Sequence, residues 1–410
     1  MKKILIIVFL LIGIFIQDID ACTTAVISGK YTKDGKPLLW KHRDTWSVNN
    51  KIMHFKDGKY EYTALVNSVD KKGKSIWIGF NSEGFSIMNS ASYNLNNDTI
   101  KQTGLEGRLM KKALQNCANI DDFEQMLKDM PKPMRLEANF GVIDAQGGAA
   151  YFELSNFKYV KIDANDPTVA PFGYVIRTNY SHTGKMGKGG GYIRYVTANK
   201  VFDDAVKNNN LSAKTIIQKG SRNMTHSLTE DDLWVYDNLP ANTNKYVTFI
   251  DYIPRSGSSS SVIVEGVNKG ENAENTVMWT VLGFPLTSVT IPVWLHTNMQ
   301  LPKVLTYDET LKDAPLCHYA LELKKEVYSY NWGASSKNYI NINVLLNADK
   351  TGFLQVFPKL ENEIFSYAFN KKSDWEKNGL KVKELNDFYR WIDKKVIAFY
   401  RENYPQLNIE

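Results

Sequence analysis

Cys22 is the residue whose position best suits nucleophilic chemistry, because it directly follows a segment with the features of a secretory signal. Lysines stand at positions 2 and 3, an apolar run covers residues 4–16, and a short polar stretch ends at Ala21. The run is too short to cross a bilayer as a helix. We therefore expect residues 1–21 to be a signal peptide, and the remaining chain to be exported to the periplasm or the extracellular space.

A cysteine at the start of a processed chain needs few partners for nucleophilic catalysis. Its thiol attacks, and its own α-amine, with a pKa of about 7.7–8.0, is close enough to act as the general base. A histidine is then not required. The amine of Cys22 appears only when the preceding peptide bond is cut, so activity would depend on processing.

Residues near Cys22 in the predicted fold could support this chemistry. Strands are expected at 22–28 and 37–43, and the intervening Asp34-Gly35 is typical of a hairpin turn. The hairpin would return a polar cluster to the side of Cys22, comprising Lys41, His42, Arg43 and Asp44.

Side-chain amides that could stabilise an oxyanion lie farther along the chain. Asn89 and Asn179 each lie at or near the end of a strand-like run. Arg194 follows a glycine-rich loop at 184–191, and a helix is expected from there to about residue 207.

Further elements follow from hydrophobic periodicity. The other strand-like runs are 61–67, 75–80, 84–90, 139–144, 149–154, 173–178, 246–253, 261–267 and a pair near 276–295. Two helices are expected within 105–130, the second capped by Asp121. A short helix is expected at about 212–220, a serine-rich turn at 255–261 and mostly helix beyond 300. Antiparallel hairpins with inserted helix pairs indicate an α+β layered fold.

The order of these motifs resembles that of the N-terminal nucleophile (Ntn) hydrolases. Within them it is most similar to the group of choloylglycine hydrolase, penicillin V acylase and acyl-CoA:6-aminopenicillanic acid acyltransferase. The motifs that carry the resemblance are Cys22-Thr23-Thr24, the hairpin ending at Asp44, Gly79 to Phe85, the helix pair at 105–130, Asn139 to Glu153, Arg177-Thr178-Asn179 and Tyr192 to Tyr195. Together they span about residues 22–300.

The resemblance implies a four-layer αββα sandwich over residues 22–300, with a mostly helical C-terminal extension at 301–410 packed on it. It also implies roles for single residues. Cys22 would be nucleophile and base, Asp44 would orient the amine, Asn179 would donate to the oxyanion, and Arg194 would support the site electrostatically. The family has arginine three residues before Asp44, where this chain has Lys41. Either Lys41 or Arg43 could fill that role, and Asn89 stands near the family's second asparagine.

The expected function is hydrolysis of a non-peptide carbon–nitrogen amide bond through a thioester on Cys22. Bile-salt conjugates, penicillin V-type amides, N-acyl amino acids and small acyl-amines all remain open as substrates. An N-acyltransferase on the same scaffold is one alternative. The other is a surface-anchored binding lipoprotein, because the residues from Ile19 to Cys22 also end like a lipidation signal.

Composition argues against other classes of function. The net charge is +6, and the basic residues are scattered rather than clustered, which does not suit nucleic-acid binding. The histidines show no metal-ligand spacing, so we expect neither a metal nor an organic cofactor. Three cysteines leave at least one unpaired, while Cys117 and Cys317 could pair. Assembly into a homo-oligomer remains open.

Overall fold

The computed structural model describes residues 21–333 and 336–409. The predicted signal peptide, apart from Ala21, lies outside these residues. The strands are β1 (Ala21–Ile27), β2 (Leu38–Asp44), β3 (Asn50–Phe55), β4 (Tyr62–Asn67), β5 (Ile78–Asn81), β6 (Ser86–Ala91), β7 (Ala138–Ile143), β8 (Ala149–Leu154), β9 (Tyr159–Asp163), β10 (Tyr174–Arg177), β11 (Tyr246–Thr248), β12 (Ser258–Glu265), β13 (Val277–Leu282), β14 (Ile291–Trp294) and β15 (Tyr339–Asn341). The α-helices are α1 (Glu106–Asn116), α2 (Ile120–Asp129), α3 (Tyr192–Lys207), α4 (Ala213–Thr215), α5 (Pro315–Val327), α6 (Phe353–Asn378) and α7 (Val382–Asn403).

Two antiparallel sheets form the centre of the molecule. One is six-stranded in the order β10-β1-β2-β12-β13-β14, and the other is seven-stranded and runs from β3 to β9 in chain order. A small third sheet pairs β11 with β15. Neighbouring strands of the seven-stranded sheet follow one another in the chain, with α1 and α2 inserted between β6 and β7. The six-stranded sheet instead joins strands from distant parts of the chain.

The two large sheets pack face to face. A side chain at Gly141 would lie 2.7 Å from Val26 and 3.1 Å from Leu39, so glycine permits the close approach of β7 to β1 and β2. The Tyr151 hydroxyl on β8 donates to Thr24 on β1 at 2.7 Å across this interface. Side chains alternate along a strand, so Thr24 and Cys22 lie on the same inner face of β1.

Helices cover the outer faces of both sheets. Residues of α1 and α2 share a buried cluster with the seven-stranded sheet, where Phe123 packs against Phe140 and Phe152. On the other side Phe202 of α3 stacks on Trp40 of β2, and Phe365 of α6 packs on Trp279 of β13. The layers are therefore helix, sheet, sheet and helix, which confirms the predicted αββα sandwich.

The C-terminal helices contribute to the same core as the six-stranded sheet. Trp294 of β14 contacts Trp375 of α6 and Phe388 of α7, with ring centroids 5.1 and 5.9 Å apart. One buried cluster extends from Ala25 to Tyr404. The domain boundary near residue 300 stays a prediction. Among the residues described, no helix combines the length and the apolar composition needed to span a membrane.

Several predicted elements differ from those observed. Asn119, not Asp121, caps α2, because its side chain accepts from the Asp122 backbone at 2.9 Å. The predicted strand at 246–253 is limited to β11. The serine-rich segment is not a turn throughout, since residues 258–261 begin the buried strand β12. Strands β3, β9 and β15 were not predicted.

Candidate active site

Cys22 lies at the start of β1, an internal strand of the six-stranded sheet. It is buried, and its neighbour across the β1–β2 pair is Arg43, while Ala21 faces Asp44. The Cys22 backbone nitrogen donates to Asn179 Oδ1 at 3.1 Å. A cut before Cys22 would convert this nitrogen into the amine that the sequence predicts as general base.

Arg194 connects Cys22 to Asn179 from the first turn of α3. One of its terminal nitrogens donates to the Cys22 carbonyl at 2.8 Å and to Thr23 Oγ1 at 2.9 Å, and the other donates to Asn179 Oδ1 at 3.1 Å. The side chain is only 1% exposed, so it is not a solvated surface charge. Burial lowers the pKa of Arg194 to about 10, which leaves the guanidinium charged at neutral pH.

The turn before α3 allows this approach. Gly191 has a φ of 85°, and a side chain there would lie 2.3 Å from the Arg194 guanidinium. Glycine is therefore required for both the backbone conformation and the space. The Asn179 amide nitrogen donates to the Ala91 carbonyl at 3.0 Å, which fixes the orientation of its oxygen towards Cys22.

Asp44 lies at the end of β2 within a polar cluster on the outer face of the sheet. Its carboxylate accepts from Arg255 Nε at 2.9 Å and from Ser258 Oγ at 2.6 Å, and it lies 3.6 Å from His42. Burial alone would lower the pKa of Arg255, but the charge of Asp44 and its hydrogen bond raise it above the usual value. Asp44 is thus paired with Arg255 and not with its sequence neighbour Arg43.

Lys41, Arg43 and Asn89 lie on the inner face, between the two sheets. Lys41 Nζ donates to the side-chain oxygen of Asn89 at 2.9 Å and also to its backbone carbonyl. Arg43 donates to Asn50 Oδ1 at 2.6 Å and stacks 4.4 Å from the Trp77 ring. Both cations therefore share the face on which Cys22 lies, and the choice between them stays open.

A pocket of about 830 Å³ lies beside Cys22. Its lining includes Ala21, Asp44, Asn179, Arg194 and Arg255. Aromatic side chains form part of the wall, and further cations enter from α5 and the following loop. These lining residues are Trp46, Tyr93, Tyr328, Lys324, Lys325 and Lys337.

Lys324 links α5 to the Asp44 cluster. Its ammonium donates to the Ser256 carbonyl and lies 3.5 Å from the Ser258 carbonyl. Burial lowers the pKa of Lys324 to about 8.

The structure brings all seven predicted site residues to the start of β1 or to the strands around it, but their catalytic roles stay predictions. It adds Arg255, Ser258 and Lys324, which the sequence analysis did not single out as site residues. Cys22, Cys117 and Cys317 are all free thiols, so Cys117 and Cys317 do not form the disulfide that the sequence left open. Within the described ranges, no group of three His, Cys, Asp or Glu side chains comes together as a metal site.

Comparison with known proteins gives structural matches of low identity. No protein-family model and no curated protein matches the chain. It is similar to a variant of conjugated bile acid hydrolase from Clostridium perfringens, with 13% identity, a TM-score of 0.41 and coverage of 67% of this chain and 92% of that one. It is also similar to a penicillin V acylase from Agrobacterium tumefaciens, with 12% identity, a TM-score of 0.35 and coverage of 68% and 87%. A further match is the Caenorhabditis elegans orthologue of N-acylethanolamine-hydrolyzing acid amidase, with 12% identity, a TM-score of 0.38 and coverage of 60% and 92%.

Proposed function

We propose that this chain, once cut before Cys22, hydrolyses a non-peptide carbon–nitrogen amide bond through a thioester on the Cys22 thiol. One observation carries the proposal. The Cys22 nitrogen lies 3.1 Å from Asn179 Oδ1, and both Asn179 and the preceding residue Ala21 line a pocket of about 830 Å³. Cleavage would place a free amine, a thiol and a substrate-sized space together.

The proposed reaction uses the amine as its only general base. The neutral amine of Cys22 takes the thiol proton, and the thiolate attacks the amide carbonyl to form a tetrahedral oxyanion. The ammonium returns the proton to the leaving nitrogen as the C–N bond breaks, giving an amine and a thioester. Water, deprotonated by the same amine, attacks the thioester and releases the carboxylic acid and the thiol.

The surrounding charges suit these steps. Arg194 donates to the Cys22 carbonyl and holds Asn179 Oδ1 towards the nitrogen, which orients the amine. Asp44 lines the pocket at the position opposite Ala21 and would stabilise the transient ammonium. Hydrogen-bond donors aimed at the oxyanion supply the remaining stabilisation in such reactions. We assign this role to the Asn179 amide nitrogen, one hydrogen of which goes to the Ala91 carbonyl and the other of which would donate to the oxyanion.

The pocket also favours a class of amide. Its wall combines Trp46 and Tyr93 with the ammonium of Lys324, which donates to backbone carbonyls. Aromatic surface suits an apolar acyl group, and cations suit a negatively charged group on the substrate. We propose that the substrate is a small-molecule amide with an apolar acyl group and a negatively charged group. We also propose that the protein acts after export.

The first test compares variants at Cys22 with a matched variant at another cysteine. Removal of the nucleophile in C22A should lower kcat by on the order of 10⁴-fold or more, whereas C117A, in the core behind the seven-stranded sheet, should keep wild-type kcat. The measurement is ninhydrin detection of amine released from bile-salt conjugates, penicillin V, N-acyl amino acids and acyl-amines.

The mass of the mature N-terminus provides a second measurement. An unmodified chain that starts at Cys22 supports the proposal. A lipid-modified Cys22 would contradict it, because acylation of the amine and alkylation of the thiol remove both reacting groups. Amine release by C22A at the wild-type rate would contradict it as well.

A further inference from the structure

Ser258 makes hydrogen bonds to three parts of the Asp44 cluster. Its hydroxyl donates to Asp44 Oδ1 at 2.6 Å, accepts from the Arg255 backbone N–H at 2.9 Å and lies 2.9 Å from His42 Nε2. Ser258 and His42 are both fully buried. They therefore interact with Asp44 without contact with solvent.

The direction of these hydrogen bonds follows from the number of hydrogens. A hydroxyl has one hydrogen and two lone pairs, and a carboxylate only accepts. The Ser258 hydrogen therefore goes to Asp44, and its two lone pairs accept from the Arg255 N–H and from His42. His42 must then carry its hydrogen on Nε2.

The state of His42 agrees with this assignment. Its Nδ1 has no hydrogen-bond partner among the described residues, as expected of the unprotonated nitrogen in a dry environment. Burial lowers the pKa of His42 to about 4, despite the nearby Asp44 carboxylate, so the ring is neutral at pH 7. Its Nε2–H thus serves as a fixed donor and not as a base.

A strand irregularity places Ser258 opposite Asp44. The β2–β12 pairing aligns Ser258 with Asp44 and Ser260 with Arg43, so Ser259 is an extra residue in β12. Such bulges change the direction of a side chain and are frequent near active sites. Without the extra residue, Ser259 would stand opposite Asp44.

We propose that His42 and Ser258 are positioning residues that hold the Asp44 carboxylate towards the amine of processed Cys22. This inference rests on the proposed function. His42 orients Ser258, Ser258 holds Asp44 Oδ1, and Arg255 holds Asp44 Oδ2. Since Ala21 faces Asp44 across the strand pair, cleavage leaves the new amine beside this carboxylate.

The test uses serine variants two residues apart on β12. S258A removes the donor to Asp44, while S260A removes a buried hydroxyl that has no partner among the described residues. All proteins start at residue 22. We expect S258A and H42F to lower kcat by about 10–100-fold with KM changed less than threefold, because misplacement of a catalytic group acts mainly on the chemical step. S260A should keep the wild-type kcat.

Conservative variants separate positioning from folding. S258T keeps the hydroxyl, and H42Q keeps an N–H donor, so both should recover most of the lost kcat. A second readout, the rate of Cys22 alkylation by iodoacetamide followed by mass spectrometry, reports the thiol–amine pair without any substrate. S258A should slow it and S260A should not.

The outcomes distinguish the two proposals. If the wild type releases amine but S258A and H42F match S260A in kcat and in alkylation, the positioning role is wrong and the proposed function stands. If the wild type releases no amine but the rate of Cys22 alkylation is still lower in S258A than in S260A, the proposed function fails and the positioning role stands. Loss of activity only in proportion to loss of folded protein, measured by circular dichroism, would also overturn the positioning role.

Discussion

At the scale of single residues, Arg194 is a group that lysine cannot replace. Its planar guanidinium donates to the Cys22 carbonyl, Thr23 and Asn179 at once. The ammonium of lysine has all its donors on one nitrogen and cannot reproduce this planar arrangement. We expect R194K to lower kcat by about 10–100-fold. Steady-state kinetics check this, with K200R, an exposed position on the same helix, as the matched control. Equal kcat for R194K and K200R would contradict the role of Arg194.

The residues around Asp44 show how much of the site could be read from the sequence. Cys22 and Asp44 were predicted together because a hairpin joins their strands, and hairpin pairing is local. Arg255 was not predicted as a site residue. It lies 211 residues from Asp44 in the chain, and the pairing of β2 with β12 brings the two together. Hydrophobic periodicity carries no information about which distant strands become neighbours.

At the scale of elements, Glu153 on β8 holds the segment that carries Asn179. Its carboxylate accepts from Arg177 Nε at 2.6 Å, from the His182 backbone at 2.9 Å and from the Thr183 backbone at 2.8 Å. E153Q should lower the free energy of unfolding by about 3 kcal/mol, because it leaves the Arg177 charge uncompensated. Urea unfolding measures this. E83Q, on an exposed turn, should change the same quantity by less than about 0.5 kcal/mol.

The same carboxylate predicts a dependence of stability on pH. Burial disfavours the charged form of Glu153, but Arg177 and the Thr183 hydrogen bonds outweigh it and lower the pKa below the usual 4.5. A group whose pKa is depressed by folding stabilises the protein above its unfolded pKa, and this contribution is lost as the pH falls through the folded value. The stability difference between wild type and E153Q should therefore be largest near pH 7 and shrink below about pH 4.5. A difference that grows at low pH would contradict this assignment.

The serine-rich segment shows why one element was predicted incorrectly. Serines are common in turns, so residues 255–261 were expected to form one. In the structure the Ser261 hydroxyl accepts from Trp40 Nε1 at 3.0 Å and lies 2.6 Å from Ser221 Oγ. Buried partners of this kind satisfy the polar side chains and allow a strand. They come from distant elements, so local sequence could not reveal them.

At the scale of the whole molecule, an ion pair joins the segment that follows α4 to the C-terminal helix α6. Arg222 donates to both carboxylate oxygens of Glu361 on α6 at 2.7 Å, and Glu361 also accepts from the Thr290 backbone at 2.9 Å. Arg222 further donates to the carbonyls of Pro285 and Ser288. The pair is buried, so each charge depends on the other for compensation.

Replacing only one residue of this ion pair should therefore lower the free energy of unfolding more than replacing both. We expect E361Q to lower the free energy of unfolding by about 3–5 kcal/mol, and the R222M/E361L double variant to lose less, since apolar side chains leave no buried charge unpaired. E363Q removes an exposed ion pair with Lys395 on the neighbouring helix. It should lower the free energy of unfolding by less than about 1 kcal/mol. Urea unfolding followed by tryptophan fluorescence measures all three.

Because the C-terminal helices share one buried cluster with the central sheet, each variant should still unfold in a single transition. A separate early transition in E361Q would show instead that the C-terminal helices unfold as an independent unit.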